Sequence, residues 1–80
     1  MHTLPAIDVK QLRHRINMSQ SEFAHAYGIH IDALQNWEQA RRQPDGASLA
    51  YLNIIDMEPS YVAQLVAHKR EVNRARIASC

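Results

Sequence analysis

Side chains able to do covalent or metal chemistry are few in this sequence and badly spaced for it. Five histidines are present, but no His-Glu-x-x-His pattern or i, i+4 histidine pair joins them, and the one cysteine, Cys80, stands at the end. A metal centre needs three or four convergent donors, so none is expected, and the terminal thiol reads as incidental. Glu22, Asp32 and Glu38 are better explained by helix capping and internal pairing than as an acid/base couple. Neither a nucleophile elbow nor a glycine-rich phosphate loop occurs, so no enzyme and no cofactor are expected. What remains is hydrogen-bonding chemistry: carboxamides between residues 20 and 39, the adjacent guanidinium groups of Arg41 and Arg42, and a second basic cluster of Lys69, Arg70, Arg74 and Arg76.

The elements that would position those groups read as helices. Asp8 is a plausible N-cap for a first helix in which Val9, Leu12 and Ile16 recur on one face, continuing to about Asn17. Ser19-Gln20-Ser21-Glu22 supplies a capping box at the start of a second helix, which carries Phe23, Ala24 and Tyr27 inward and stops at Gly28. Ile29 plugs the following turn, and a third helix, residues 31–39, places Leu34, Trp37 and Glu38 together at i, i+3 and i+4, with Leu34 and Trp37 expected in the core. A turn-rich loop, residues 41–46, precedes a fourth helix over about 46–57 marked by Leu49, Leu52 and Ile55. Pro59 closes that helix and suits the first turn of a fifth, about 59–76, with Val62, Leu65, Val66 and Lys69 continuing its stripe. The expectation is a single all-α domain over residues 1–80, without strands, repeats or low-complexity segments.

Composition sets outer limits. At 46% hydrophobic residues with two glycines and three prolines, the chain has the makings of one packed core. No apolar run reaches the roughly 18 residues of a membrane span, and residues 1–5 lack the pattern of a secretory leader, so a cytoplasmic location without membrane contact is expected. A net charge of +1 is weak for a polyanion binder, which makes the local placement of charge the relevant quantity.

Two short helices joined by a glycine-containing turn are a geometry that presents the second helix to the major groove of DNA, about 12 Å wide. Residues 18–44 read MSQSEFAHAYGIHIDALQNWEQARRQP. They resemble the helix-turn-helix of the XRE-like family of Cro and phage-type repressors, whose pattern in one subgroup runs roughly LSQxEFAxxLGVSxxTVQNWEQGRRxP. The likeness extends from about Asp8 to Leu52 and implies a five-helix bundle of the phage-repressor type, with the helix-turn-helix at about 19–39.

Carried over position by position, the resemblance assigns Gln20 to a phosphate contact that also braces the third helix. Ile31, Asp32, Ala33, Asn36 and Gln39 fall at positions facing base edges or the adjacent backbone. Asn36, expected outermost, stands out because its amide can pair bidentately with adenine. Arg41 and Arg42 match a phosphate-contacting loop that fixes register without reading sequence. Arg13 and Glu38 match a structural ion pair between the first and third helices. The departures from the pattern are His30-Ile31-Asp32, where polar or basic residues are usual, and Ala40, where glycine is common. Asp32 would repel phosphate, accept a bond from cytosine N4, or favour the helix N-terminus, and the residues alone leave these open. Ala40 leaves room for the third helix to run on.

The implied function is a DNA-binding transcriptional regulator, a repressor acting as a homodimer on a palindrome. The fifth helix offers Tyr61, Val62, Leu65, Val66, Val72 and Ile77 either to a dimer surface or to closure of the core. The subgroup is also similar to HigA-type antitoxins, which implies a toxin protein as a second partner. A helical protein-interaction module without DNA binding is the third reading, favoured by the low net charge and Asp32.

Overall fold

In the computed structural model, the backbone is described for residues 5–78 and the side chains for residues 5–74. Cys80, Arg76 and Ile77, singled out above, lie outside the described side chains. The described residues form five helices: α1 Val9–Arg15, α2 Gln20–Tyr27, α3 Ile31–Glu38, α4 Gly46–Met57 and α5 Pro59–Ala78. No strand occurs among them.

Four of the helices start where a side chain satisfies a free amide, and α5 starts on Pro59, which has no amide proton to satisfy. The Asp8 carboxylate accepts from the Gln11 amide at 3.0 Å, and Asp45 accepts from that of Ser48 at 2.8 Å. At α2 the capping box is complete: Ser19 Oγ accepts from the Glu22 amide at 3.1 Å, while Glu22 accepts from the Ser19 amide at 2.8 Å. His30 is a poorer cap for α3, its Nδ1 accepting from the Asp32 amide at 3.3 Å.

The first three helices end by one repeated device. After α1, Asn17 adopts φ 59°; after α2, Gly28 adopts φ 67°; after α3, Ala40 adopts φ 58°. In each case the left-handed residue's amide bonds to the carbonyl three residues back and the next amide to the carbonyl five back: Asn17 to His14 and Met18 to Arg13, Gly28 to His25 and Ile29 to Ala24, Ala40 to Trp37 and Arg41 to Asn36. This is the Schellman closure. It stops α1 at Arg15, two residues before the expected end, because an asparagine tolerates the left-handed region. It also stops α3 at Glu38, with Gln39 as its cap, so α3 does not run on through Ala40.

α2 packs against α3 on one side and α5 on the other; α1 packs on α3, and α4 on α5. Phe23, Leu34, Leu52 and Ile55 are fully buried, joined by Val9, Leu12, Ala24, Tyr27 and Val62. Each such aliphatic or aromatic side chain contributes about 1.5–3 kcal/mol by burial. Tyr27 stacks at a tilt on Phe23, ring centres 4.9 Å apart. Its hydroxyl donates to the Pro59 carbonyl at 2.9 Å, and the Tyr51 hydroxyl donates to the Tyr27 carbonyl at 2.6 Å. The end of α2 is thereby tied to both α4 and α5. Trp37, expected in the core, is only half-buried and packs at its edge. On α5, Val62 and Val66 face the core, whereas Leu65 and Lys69 do not continue that stripe but are exposed.

Ala40 has a β-carbon in a conformation that costs about 1–2 kcal/mol for a non-glycine residue. Ala40→Gly should therefore stabilise the fold by about 0.5–1 kcal/mol net of the added freedom of the unfolded chain. Thermal denaturation should show a midpoint raised by a few degrees; a lowered midpoint would contradict the assigned backbone.

Candidate nucleic-acid interface

The third helix is held from beneath and free above. Leu34 anchors it in the core with no exposed surface. Glu38, in the last turn, receives Arg13 Nε at 2.8 Å on one carboxylate oxygen and Arg13 Nη2 at 2.8 Å on the other. Arg13 Nη1 donates to the Met18 carbonyl at 3.0 Å, and Gln20 Nε2 donates to Glu38 at 3.2 Å. One planar guanidinium thus links α1, the turn after it and α3, and Gln20 adds the start of α2. The pair is well covered, with 10% of the Arg13 side chain and 4% of the Glu38 side chain exposed. The Arg13 hydrogen bonds hold Glu38 below the ordinary carboxylate range, outweighing burial, which acts upward; the Gln20 bond adds to the lowering. The same pairing raises Arg13 above its ordinary value.

On the outward side of α3, Asp32, Asn36 and Gln39 follow at i, i+4 and i+7, with Asp32 and Gln39 exposed. Asn36 is half-buried, so it is not the outermost residue: it lines a hollow of about 560 Å³ with His30, Ala33, Trp37, Arg42 and Gln43. The hollow is closed by Asp45 and Ser48 at the start of α4. Arg41 and Arg42 are both exposed immediately beyond α3. Ile31 is half-buried and packs against the core. Gln20 is half-buried beside Glu38.

Asn36, Ala33 and Arg42 are therefore brought to one concavity, Asp32 and Gln39 to the adjoining surface, and Ile31 mostly inward. Sequence reasoning missed His30, Gln43 and Ser48 as neighbours of Asn36. Only the Pro44-Asp45-Gly46 start signal of α4 bears on them, and it does not say where that helix start lies. Asp32 stands in the first turn of α3, where a negative charge is favoured by the helix dipole.

Two short, sharply joined helices with the second one anchored below and open above define a helix-turn-helix, and a helix-turn-helix family model matches residues 9–50, more than half of the chain. The chain belongs to the XRE-type helix-turn-helix family of DNA-binding regulators. It is 31% identical over 61 residues to antitoxin HigA-2 of Vibrio cholerae, a match covering 72% of this chain and 59% of that protein's length. It is 27% identical over 64 residues to the uncharacterized HTH-type transcriptional regulator YiaG of Escherichia coli, covering 80% of this chain and 67% of the relative. Among solved structures, an HTH XRE-family like protein from Agrobacterium tumefaciens superposes with a TM-score of 0.73 at 36% identity, covering 74% of this chain and 95% of that one. No described helix is long and apolar enough to cross a membrane.

Removing one partner of the covered pair strands the other. Glu38→Gln should cost about 3 kcal/mol, and Arg13→Met should leave Glu38 with only Gln20 and cost a similar amount. Because Glu38 is held below its ordinary value, its contribution is present above about pH 4.5 and lost as pH falls through the lowered folded value. Chemical denaturation across pH 3–7 checks this: the parent should lose stability in acid more steeply than Glu38→Gln, and parallel profiles would show that the pair does not carry the difference.

Proposed function

We propose that the chain is a sequence-specific transcriptional regulator, a repressor that binds a palindromic operator as a homodimer. The observation that carries this reading is the free outer face of α3, anchored beneath by Leu34 and Glu38 and flanked by the exposed Arg41 and Arg42. An eight-residue helix is about 12 Å long and touches only a few base pairs. Two copies placed one helical turn of DNA apart, about 34–36 Å, supply the missing specificity.

In this reading Asn36 and Gln39 read base edges. Asp32 accepts from cytosine N4 or acts only through the helix dipole, and Ala33 allows close approach. Ile31 contributes through its exposed part, the remainder being committed to the core. Arg41 and Arg42 bind phosphate and set register, and Gln20, already held by Glu38, bonds phosphate through the rest of its amide. With a net charge of only +1, affinity rests on these few local contacts rather than on a general basic surface.

A second reading, an antitoxin that binds a toxin protein and also represses its own operon, is favoured by the similarity to antitoxin HigA-2. The two readings share the DNA face. Co-expression with the product of the adjacent gene separates them: formation of a stable complex that relieves growth arrest by that product identifies the antitoxin.

Selection of bound sites from a random DNA pool tests the DNA-binding proposal. The parent should enrich a two-fold symmetric sequence. Asn36→Ala should relax preference at one base pair per half-site, a loss of about 1–3 kcal/mol of discrimination. Arg41→Ala with Arg42→Ala should weaken all sites alike and reduce the salt slope by about 2 per subunit. A parent chain that enriches nothing and shows no salt-dependent DNA affinity would leave a protein-interaction module as the surviving reading.

A further inference from the structure

We infer that the groove between α4 and α5 binds a small amphipathic carboxylate, with its apolar body on Ile54, Leu65 and Val66 and its charged head on Arg70 and Lys69. The site goes beyond the DNA-binding reading, since no described residue lining the groove belongs to α3.

The groove has a volume of about 660 Å³, within the roughly 300–1,000 Å³ of small-molecule sites. One face of α5 builds most of it, because Val62, Leu65, Val66 and Lys69 recur at i, i+3, i+4 and i+7. Val62 is buried and Val66 half-buried, so these two form the floor. Ile54 on α4 and Leu65 on α5 stand 54% and 49% exposed as the walls. Leu65 and Lys69, which leave the core stripe, therefore leave it at this hollow.

Charge decides what fits. Two cations, Lys69 and Arg70, stand in the lining with no carboxylate among the described residues to answer them. Neither enters an ion pair among the described residues. Arg70 Nη2 lies 3.9 Å from the point that a β-carbon on Gly28 would occupy, and Val66 Cγ1 lies at the same distance. The guanidinium is thus set over the floor at the C-terminal end of α2, whose dipole favours a cation. Its charge also reaches Tyr51, whose hydroxyl is pushed up by burial and by Tyr27 while Arg70 acts downward. The dipole accounts for where Arg70 sits and leaves its planar fork of N–H donors unfilled, and a carboxylate fills such a fork with two parallel bonds.

Length and symmetry narrow the occupant. Between Val62 and Arg70 the helix rises about 12 Å, the reach of a medium-length acyl chain or a fused aromatic system. A second copy seated here by two-fold symmetry would bring its own Lys69 and Arg70 to the contact, adding cations where the groove lacks anions. A small carboxylate supplies the missing sign and covers the same apolar walls.

Calorimetric titration of the full chain with decanoate, kept well below micelle formation, tests the proposal against 1-decanol and decyltrimethylammonium, with circular dichroism as the check on folding. Decanoate should saturate at one per chain, and the alcohol and the cation should bind at least about tenfold more weakly. Arg70→Gln should bring decanoate down to the level of the alcohol, and Lys69→Gln should weaken it less, because an ammonium offers a point charge and no fork. Arg74→Gln, on the same helix but outside the groove, should change nothing. Leu65→Glu should abolish binding of both decanoate and alcohol without loss of helicity, since Leu65 is already half-exposed. Equal affinity for decanoate and decanol, equal losses in Arg70→Gln and Arg74→Gln, or no saturable binding overturns the proposal. So does a dimer that excludes decanoate and that Leu65→Glu dissociates, which places a second copy in the groove. The double Arg41, Arg42 alanine variant should bind decanoate as the parent does, so the outcome is independent of the DNA-binding test.

Discussion

Everything this fold can present depends on the fork between Arg13 and Glu38. Glu38 ends α3, where the helix dipole is unfavourable to a negative charge, and its carboxylate is largely hidden from water. Alone it would destabilise both the helix end and the interior. Two parallel bonds from Arg13 on α1 and one from Gln20 on α2 offset that cost. A hydrophobic pair of similar volume can pack as well, yet it lacks the planar fork that fixes the rotation of one helix against another. The pair therefore sets the angle at which α3 stands out. Asp32, Asn36 and Gln39 face away from the core because Leu34 and Glu38 face toward it.

A second constraint is brevity. Helices of seven or eight residues are marginal in isolation, so α1, α2 and α3 persist only because they are capped at both ends and packed together. The three left-handed closures at Asn17, Gly28 and Ala40 give the chain two sharp reversals and an abrupt exit toward Arg41. The third comes at a cost in strain, because alanine stands where glycine would be relaxed. That strain is tolerated since the Arg41 amide and the Asn36 carbonyl are both satisfied by the closure, which also fixes where the Arg41–Arg42 backbone begins.

Start signals were more legible than stop signals, for a physical reason. A cap at the start of a helix is a side-chain event, so Asp8, Ser19 with Glu22, and Pro59 announce themselves by residue type. A stop is a backbone event that glycine favours but asparagine and alanine also permit, so Gly28 was readable while Asn17 and Ala40 were not. Periodicity placed Leu34 in the core and Asn36 on the opposite side. It placed the start of α4 in the chain but not against α3, and so gave no hint that Asn36 shares a hollow with His30, Gln43 and Ser48. On α5 it admitted Leu65 and Val66 equally, because adjacent positions at the edge of a stripe are separated only by where the neighbouring helices lie. Bonds between distant residues, such as Tyr51 to the Tyr27 carbonyl or Arg15 to Asp56, have no local signature at all.

The position of α2 explains how one small fold serves two surfaces. Its start carries Gln20, bonded to Glu38 under the outer face of α3; its end carries the carbonyl of Tyr27, bonded by Tyr51, and Gly28, which borders the apolar groove. About 12 Å of helix separates these ends. Phe23, Ala24 and Tyr27 between them are buried, so α2 is rigidly seated and cannot tilt one end without moving the other. A contact formed at the groove acts on the same seated helix that braces α3, while the side chains at the two ends remain chemically independent. The chain's weak net charge follows from the same division. Asp56, Glu58 and Glu71 offset three of the four basic residues of α5, and Arg41 and Arg42 stand together beside the outer face of α3.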